Sequence, residues 1–288
     1  MDTSEGKLWV IATPIGNLGD ISPRARNILE TLDLLACENL NSARRLCSAL
    51  QVRCPRLVLY REDSCEKSTQ RILSELKEGN QCGLISDAGS PGLSDPGWRL
   101  VAACHQERVP VVSVAGPSAL TAALAAAGQP TRRFLFEGFP PHKKCDRRAF
   151  FEKASETQVT SIFFESPHNI LDTLQLLREF CGPQRKLSIS RELSKLHETN
   201  LQASLDYWLD NPPPARGEFV LVLEPAPPRT NQEAEKEEQL IRQSEYLSQC
   251  QLSAAQVRDF LVMFCGASRN QAYRIALIPP RPEVGRVE

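Results

Sequence analysis

The sequence predicts an α/β protein with two α/β domains and a small helical segment at its C-terminal end. The 288 residues suffice for about two domains of ordinary size. Apolar residues form 41% of the chain and charged residues 24%, which is typical of a globular protein and excludes a fibrous or largely disordered one. Short apolar runs alternate with helical patterns over most of the chain, and such alternation indicates α/β layers.

The first domain, residues 1–117, is predicted to contain a parallel sheet covered on both faces. Its strands are short apolar runs, at residues 8–12, 34–37, 57–60, 83–85 and 109–114. Helical patterns separate them: one opens at Ser22 and Pro23, an N-cap followed by a first-turn proline, and the others span residues 42–50, 65–78 and 98–106. Strands alternating with helices at this spacing favour parallel pairing.

The second domain, residues 118–226, repeats the alternation. Ser118 is placed to cap an alanine-rich helix. The predicted strands are residues 134–136, 161–164, 187–190 and 219–223, and the predicted helices are residues 146–154, 170–180 and 205–209. A proline-rich stretch at residues 225–228 can continue neither helix nor strand and is predicted to be a linker.

The third segment, residues 227–288, is predicted to be helical. Residues 233–249 form a charged helical pattern, and two capping boxes follow, one from Ser253 to Gln256 and one from Ser268 to Gln271. The two short helices around Gly266 resemble a helix-turn-helix. We interpret this hairpin as a packing or dimerisation element in preference to a DNA reader.

Charge and cysteine spacing exclude several kinds of protein. The net charge of −1 argues against a nucleic-acid binder that is basic over its whole surface, although a local basic patch remains compatible. The ten cysteines include no CxxC pair, so neither a zinc site nor a redox motif is predicted. Without a signal-peptide pattern or a membrane span, we expect a cytoplasmic protein with reduced thiols and no metal.

Three loops that follow strands are the expected ligand site, because open α/β sheets bind ligands beyond the carboxyl ends of their strands. A glycine-containing turn spans residues 13–20, a loop with three glycines and two prolines spans residues 86–97, and a third loop spans residues 115–118. Asp87 and Asp95 could accept hydrogen bonds from hydroxyl or amino groups. These loops contain no GxGxxG, Walker, GxSxG or EF-hand pattern.

Six separated motifs, in order along the chain, carry a family resemblance. They are VIATPIGNLGDIS (10–22), SDAGSPGLSDPG (86–97), GPSALTAALAAAG (116–128), FLFEGFPP (134–141), FFESPHNI (163–170) and RELSKLHE (191–198). The chain resembles the small-subunit ribosomal RNA methyltransferase I family, within the tetrapyrrole methylase superfamily. The resemblance runs from about residue 7 to residue 223 and, more weakly, through GASRNQAYRIAL (266–277).

The resemblance implies two α/β domains of the tetrapyrrole methylase type with S-adenosylmethionine held in the cleft between them, usually in a homodimer. It also implies methyl transfer to the ribose 2′-oxygen of a cytidine in small-subunit ribosomal RNA, as free RNA or in the 30S subunit. The expected cofactor-binding residues lie in the matched motifs: Pro14, Gly16, Asp87, Ala88, Gly89, Ser118, Ala119 and Phe164.

A hydroxyl acceptor must lose its proton, so methyl transfer to ribose needs a base or a group that stabilises the alkoxide. Glu192 or His197, just beyond a strand end, could take the proton. Lys195 or Arg191 could stabilise the alkoxide or bind phosphate. Glu38, which follows the second strand, is the further catalytic candidate.

Two loops depart from the family pattern. Residues 38–41 read Glu-Asn-Leu-Asn where the family typically has Glu-Asp-Thr-Arg, and residues 60–64 read Tyr-Arg-Glu-Asp-Ser where it has Tyr-His-Glu-His-Asn. Both loops should face the cleft. Two alternatives therefore stand: a methyltransferase acting on a small, tetrapyrrole-like molecule, and a catalytically impaired protein that binds cofactor and RNA.

A basic segment supports an RNA substrate. Residues 132–148 contain six basic side chains and two acidic ones, interleaved with phenylalanines. A helix start that was merely solvated would carry more acids than this one does. We predict phosphate contacts from basic residues on this side of the cleft: Arg133, Lys143, Lys144, Arg147, Arg148 and Arg191.

Overall fold

The computed structural model describes residues 6–228, 231–267 and 269–278. The chain divides into two compact units, Met1–Ala226 and Pro227–Glu288. The first unit contains two five-stranded sheets.

The first sheet is entirely parallel, with the strand order β3-β2-β4-β1-β5. Its strands are β1 (Lys7–Ile11), β2 (Leu34–Cys37), β3 (Arg56–Leu59), β4 (Gln81–Leu84) and β5 (Val111–Val114). The helices that cover it are α1 (Pro23–Thr31), α2 (Leu40–Ala49), α3 (Cys65–Lys77) and α4 (Trp98–Gln106). The predicted parallel sheet is confirmed, with strand ends shifted by at most two residues.

Two apolar clusters explain why the strands of this sheet are almost continuously hydrophobic. Leu8, Leu34 and Leu84 pack into a cluster on one face, and Ile11 and Leu35 pack into another on the opposite face. Burial on both faces leaves little room for polar side chains. The Ser22 hydroxyl accepts a hydrogen bond from the Ala25 amide at 3.0 Å, so α1 begins where its N-cap predicts.

The second sheet differs from the first in being mixed, with the order β6-β7-β10-β8-β9. Its strands are β6 (Phe134–Phe136), β7 (Thr160–Glu165), β8 (Lys186–Arg191), β9 (Thr199–Ser204) and β10 (Phe219–Leu223). Only β6 and β7 pair in parallel. Strand β9 was not predicted, because this edge strand is exposed over most of its length and lacks apolar alternation.

The helices of the second half are α5 (Ala119–Ala126), α6 (Lys144–Glu156), α7 (Ile170–Cys181) and α8 (Leu205–Asp210). Their positions agree with the predicted ones. Ser118 occupies the N-cap of α5, but its side chain makes no capping hydrogen bond. The predicted helix start is therefore right, and the predicted role of the hydroxyl is wrong.

The second unit contains three helices in the part that the structure describes: α9 (Asn231–Gln249), α10 (Ala254–Phe264) and α11 (Arg269–Ala276). They bury a small apolar core that includes Leu240, Val257 and Ile275. The capping box from Ser253 to Gln256 is confirmed, whereas the one predicted from Ser268 lies outside the described residues. In the described ranges, no helix combines the length and the apolar character that crossing a membrane requires.

Candidate active site

A cavity of about 390 Å³ lies where the loops after β1, β4 and β5 meet the second sheet. Thr13 and Gly89 tie the first two loops together, with reciprocal backbone hydrogen bonds of 2.8 and 3.0 Å. Gly89 has a φ of +78°, a conformation that side chains rarely adopt. The volume of the cavity is within the range of about 300–1,000 Å³ that small-molecule sites occupy.

The cavity wall combines apolar side chains with a few carboxylates. Phe139 and Phe164 stand 5.3 Å apart between ring centroids and form an aromatic wall. The cavity is lined by Ile15, Asp87, Ala88, Gly89, Ser90, Leu93, Ser94, Asp95, Ser118, Ala119, Leu120, Phe139, Phe164, Glu165, Ser166, Pro167, Glu218, Phe219 and Val220. An apolar pocket with a small number of polar groups is the usual form of a cofactor site.

Six of the eight predicted cofactor-binding residues line this cavity: Asp87, Ala88, Gly89, Ser118, Ala119 and Phe164. The other two, Pro14 and Gly16, flank Ile15, which is part of the wall. Phe139, Glu165 and Glu218 were not predicted. Glu165 stands inside the motif FFESPHNI, so the resemblance contained a signal for it, whereas Glu218 reaches the cavity only through the tertiary fold.

Glu38 lies beside the cavity and next to two carboxylates. Its Oε1 accepts a hydrogen bond from the backbone amide of Asp87 at 3.3 Å. Burial is the main cause that raises the pKa of Glu38 to about 7, and the charges of Asp95 and Asp87 raise it further. Burial likewise raises the pKa of Asp95. A carboxyl group with a pKa near 7 can exchange a proton at neutral pH.

Hydrogen bonds hold the two loops that depart from the family pattern. The Asn39 side chain accepts hydrogen bonds from the amides of Asn41 and Ser42, at 2.9 and 3.3 Å, and so caps α2. Asparagine and aspartate cap helices about equally well. Arg61, in the second departing loop, donates from Nε to the Glu38 carbonyl oxygen at 3.0 Å. The loop that carries Glu38 is therefore held at both sides.

Lys195 occupies the loop that follows β8, between two carboxylates. Its Nζ donates to Glu192 Oε1 at 2.9 Å and to Glu218 Oε2 at 3.0 Å. The hydrogen bond from Lys195 holds the pKa of Glu192 below its usual value. Partial burial opposes the charge on Lys195, but the bonds to Glu192 and Glu218 outweigh it and raise the lysine pKa. Lys195 therefore stays cationic, and Glu192 is a poor proton acceptor.

Backbone geometry fixes this loop against the turn after β1. Glu192 and Ser194 have φ values of +53° and +63°, which non-glycine residues adopt only when the surroundings enforce them. A side-chain carbon at Gly16 would collide with Lys195 Cγ. His197 is exposed and is not part of the cavity wall. Glu38 and Lys195 also lie outside the wall, but each bonds to a wall residue, Asp87 and Glu218 respectively.

Two of the arginines predicted to contact RNA are buried instead. Arg147 is 4% exposed, and its guanidinium pairs with Glu165 at 2.5 Å and with Asp172 at 3.0 Å. Arg191 is 7% exposed, and its Nε donates to the Arg216 carbonyl oxygen at 2.7 Å. Both guanidinium groups serve the fold, so neither presents its charge to RNA in this structure.

The remaining predicted RNA contacts are exposed. Arg133, Lys143 and Lys144 are open to solvent. Arg148 is also exposed, but it forms a bidentate ion pair with Glu179 and stacks on Phe180. The basic segment 132–148 therefore offers less free charge than its composition suggests. Over the described ranges, no group of three or more His, Cys, Asp or Glu side chains is arranged to hold a metal ion.

This fold and cavity have counterparts among known proteins. The sequence profile of the tetrapyrrole (corrin/porphyrin) methylases matches residues 7–207. The chain therefore belongs to the tetrapyrrole methylase family. The fold is similar to that of uroporphyrin-III-C-methyltransferase from Thermus thermophilus, at a TM-score of 0.54 and 17% identity, covering 76% of this chain and 94% of that one. Cobalt precorrin-4 methyltransferase has the same TM-score at 14% identity, covering 75% of this chain and 94% of that one.

More similar sequences narrow the position within the family. A Synechocystis protein named ribosomal RNA small subunit methyltransferase I is 38% identical over 276 residues, which cover 94% of this chain and 98% of the relative. The Haemophilus influenzae protein of the same name is 35% identical, covering 94% and 96%. The resemblance to the methyltransferase I group is thereby confirmed.

Proposed function

We propose that this protein transfers a methyl group from S-adenosylmethionine to the ribose 2′-oxygen of a cytidine in small-subunit ribosomal RNA. The observation that carries the proposal is the cavity, which brings six of the eight expected cofactor residues together beside Glu38 and the Lys195–Glu218 pair. The names of relatives at 35–38% identity support the choice of RNA as substrate. The likeness to methylases of small tetrapyrroles concerns the fold alone.

The residues of the cavity fit the cofactor. The aromatic wall of Phe139 and Phe164 suits a flat purine ring, and the Asp87 and Asp95 carboxylates suit hydroxyl and ammonium groups. Asp87 and Ala88, exposed in the loop that Gly89 turns, leave room for the methionine part to approach the backbone. S-adenosylmethionine supplies an electrophilic methyl group on a sulfonium centre.

Glu38 and Lys195 have complementary roles at this site. Glu38, with its pKa near 7, accepts the proton from the ribose hydroxyl. Lys195 keeps its positive charge and stabilises the negative charge that develops on the ribose oxygen. Glu192 and Glu218 hold the ammonium group in place through the two hydrogen bonds already described. Positioning of the two reactants supplies much of the remaining acceleration.

We also propose the domain roles, the location and the assembly of the working protein. Residues 1–117 and 118–226 act as the two α/β domains and residues 227–288 as an appended helical segment. The protein acts in the cytoplasm as a homodimer on the 30S subunit or its RNA. Edge strand β6 exposes Phe134 by 44% and Leu135 by 38%, apolar surface that a second copy could cover.

A methylation assay with tritiated S-adenosylmethionine tests the function. Isolated 30S subunits, protein-free small-subunit RNA and a tetrapyrrole are offered in parallel, and RNase H mapping locates the label. Label on a ribose 2′-oxygen of the RNA is expected. Transfer only to the tetrapyrrole, or to none of the three, would contradict the proposal.

A further inference from the structure

Helix α2 and the turn after it form a stretch with positive charge and no negative charge. Residues 39–55 contain Arg44, Arg45 and Arg53 but no aspartate or glutamate. All three arginines are exposed. The helix begins at Leu40, two residues after Glu38, so its first turn is at the edge of the proposed active site.

Among the residues that the structure describes, Arg44 and Arg45 make hydrogen bonds with neutral groups of their own helix. Arg44 Nη1 donates to Asn41 Oδ1 at 3.2 Å, and Arg45 Nη2 donates to Ser42 Oγ at 3.2 Å. Within the ranges that the structure describes, no carboxylate is within 4.0 Å of either guanidinium. Arg56, by contrast, is 57% exposed and forms a bidentate pair with Glu75.

Arg44 follows the end of β2 closely enough for its charge to act on Cys37. Burial raises the pKa of Cys37 to about 11, and the positive charge of Arg44 opposes that rise. Cys37 is the last residue of β2 and directly precedes Glu38. Arg61, also exposed, is bonded to the Glu38 backbone. Guanidinium groups therefore stand around the segment that carries the proposed proton acceptor.

The exposed side chains of this surface indicate which kind of partner it can bind. A guanidinium group binds phosphate oxygens in a planar, bidentate manner. The exposed residues of α2 are otherwise small or polar (Asn41, Ser48 and Ala49), whereas the core of a protein interface is rich in aromatic and large apolar side chains. A phosphate backbone therefore fits the surface better than a protein partner does.

We propose that Arg44 and Arg45 bind the phosphate backbone of the substrate RNA beside the acceptor nucleotide, an inference that rests on the proposed function. This surface provides the unpaired charge that Arg147 and Arg191 do not. Each phosphate contact releases condensed counterions, so RNA affinity should fall as salt increases.

The test compares two double variants of equal charge. Arg44→Ala plus Arg45→Ala removes the proposed contacts, and alanine keeps the helix because it is the best helix former. Arg56→Ala plus Lys77→Ala is the control, since both residues are exposed but paired with Glu75 and Glu107. Binding to protein-free small-subunit RNA and to 30S subunits is measured between about 50 and 200 mM salt, and S-adenosylmethionine binding is measured by calorimetry.

The Arg44/Arg45 variant should bind both RNA and 30S subunits more weakly. Its salt dependence, the slope of log K against log salt, should be shallower by about 1.4, or about 0.7 for each arginine on single-stranded RNA. The control slope and the cofactor affinity should match wild type. An unchanged slope would overturn the proposal, and so would a loss seen with 30S subunits but not with bare RNA, which would assign the surface to a ribosomal protein. A wild-type protein that neither binds nor methylates these RNAs would instead overturn the proposed function.

Discussion

Gly16 and Lys195, 179 positions apart in the sequence, are in direct contact: a Cβ at Gly16 would collide with Cγ of the lysine and lie 3.2 Å from the Leu193 carbonyl oxygen. The turn after β1 thus sets where the lysine lies. Through Lys195 the same turn also reaches Glu192 and Glu218. The first loop of the chain and the loop after β8 therefore form one structural unit.

This contact makes Gly16→Ala a test of how Lys195 is positioned. The added methyl group must displace the lysine stem, so kcat should fall by about 10-fold or more, because small displacements of catalytic groups are costly. Cofactor affinity by calorimetry and the melting temperature should change far less than kcat, because Gly16 only flanks the cavity wall and the added methyl group meets Lys195 instead. The control is Gly19→Ala in the same turn, which also adds a methyl group but within 4 Å meets only the exposed Asn17 side chain, at 3.1 Å. A Gly16→Ala enzyme with normal kcat would show that the position of Lys195 does not matter.

Cofactor binding should depend on Asp87 and Ser118, which both line the cavity. Asp87→Ala removes a carboxylate, and Ser118→Trp fills space that the small side chain leaves open. Both variants should bind S-adenosylmethionine at least 10-fold more weakly than wild type in calorimetry, which corresponds to about 1.4 kcal/mol. Ser113→Ala, on the edge strand β5, is the control. Wild-type affinity in both variants would place the cofactor elsewhere.

Lys195→Ala should lower turnover by about 10²–10⁴, because it removes the charge that we propose stabilises the alkoxide. Glu192→Gln should have a smaller effect on turnover, since it weakens only one of the two hydrogen bonds that hold the ammonium group. His197→Ala should remain close to wild type, because His197 is exposed and outside the cavity wall. Single-turnover rates of the three variants measure how strongly each substitution slows the reaction. A large loss in His197→Ala with near-normal Lys195→Ala would reverse the assignment.

Glu38 should determine the acid side of the pH–rate profile. If its carboxylate accepts the proton, the rate should rise with pH through about 7 and then level off, and Glu38→Gln should lose both rate and this rise. A retained rise with pH in Glu38→Gln would assign it to another group.

The raised pKa of Glu38 also has a consequence for stability. The folded protein favours the protonated form of Glu38. The contribution of Glu38 to folding stability is therefore present below the unfolded pKa of about 4.5 and is lost as pH rises through about 7. The melting temperature of Glu38→Gln minus that of wild type should therefore be more positive at pH 8 than at pH 5. An equal difference at the two pH values would contradict the raised pKa.

Arg147 and Arg148 are adjacent in sequence but should respond very differently to mutation. Arg147→Met leaves the Glu165 carboxylate buried without its partner, which should cost about 3–5 kcal/mol of unfolding free energy. Arg148→Met breaks an exposed pair with Glu179 and should change stability far less. Urea denaturation measures both. Equal losses in the two variants would show that burial of the Arg147–Glu165 pair does not govern its strength.

The elements that the sequence predicted well have a local physical cause. Strands such as β2 and β10 are buried on both faces, so their apolar runs identify them directly. Ser22 and Ser253 begin helices through bonds that span three residues, and these patterns are visible in the chain itself. Strand β9 was not predicted from the sequence. It is an exposed edge strand, held by its pairing with β8 and not by burial of apolar side chains.

The sequence by itself determined the family, the first sheet and the loops that line the cavity, since motif order and apolar periodicity are properties of the linear chain. Only the tertiary structure decided which charges are free. Arg147 and Arg44 have the same side chain, yet one is neutralised by Glu165 and the other bonds to Asn41. The tertiary structure also singled out Glu38, whose pKa is raised by burial and by Asp95, 57 positions further along the chain. Charge pairing and desolvation depend on distances in space, and a linear pattern does not contain those distances.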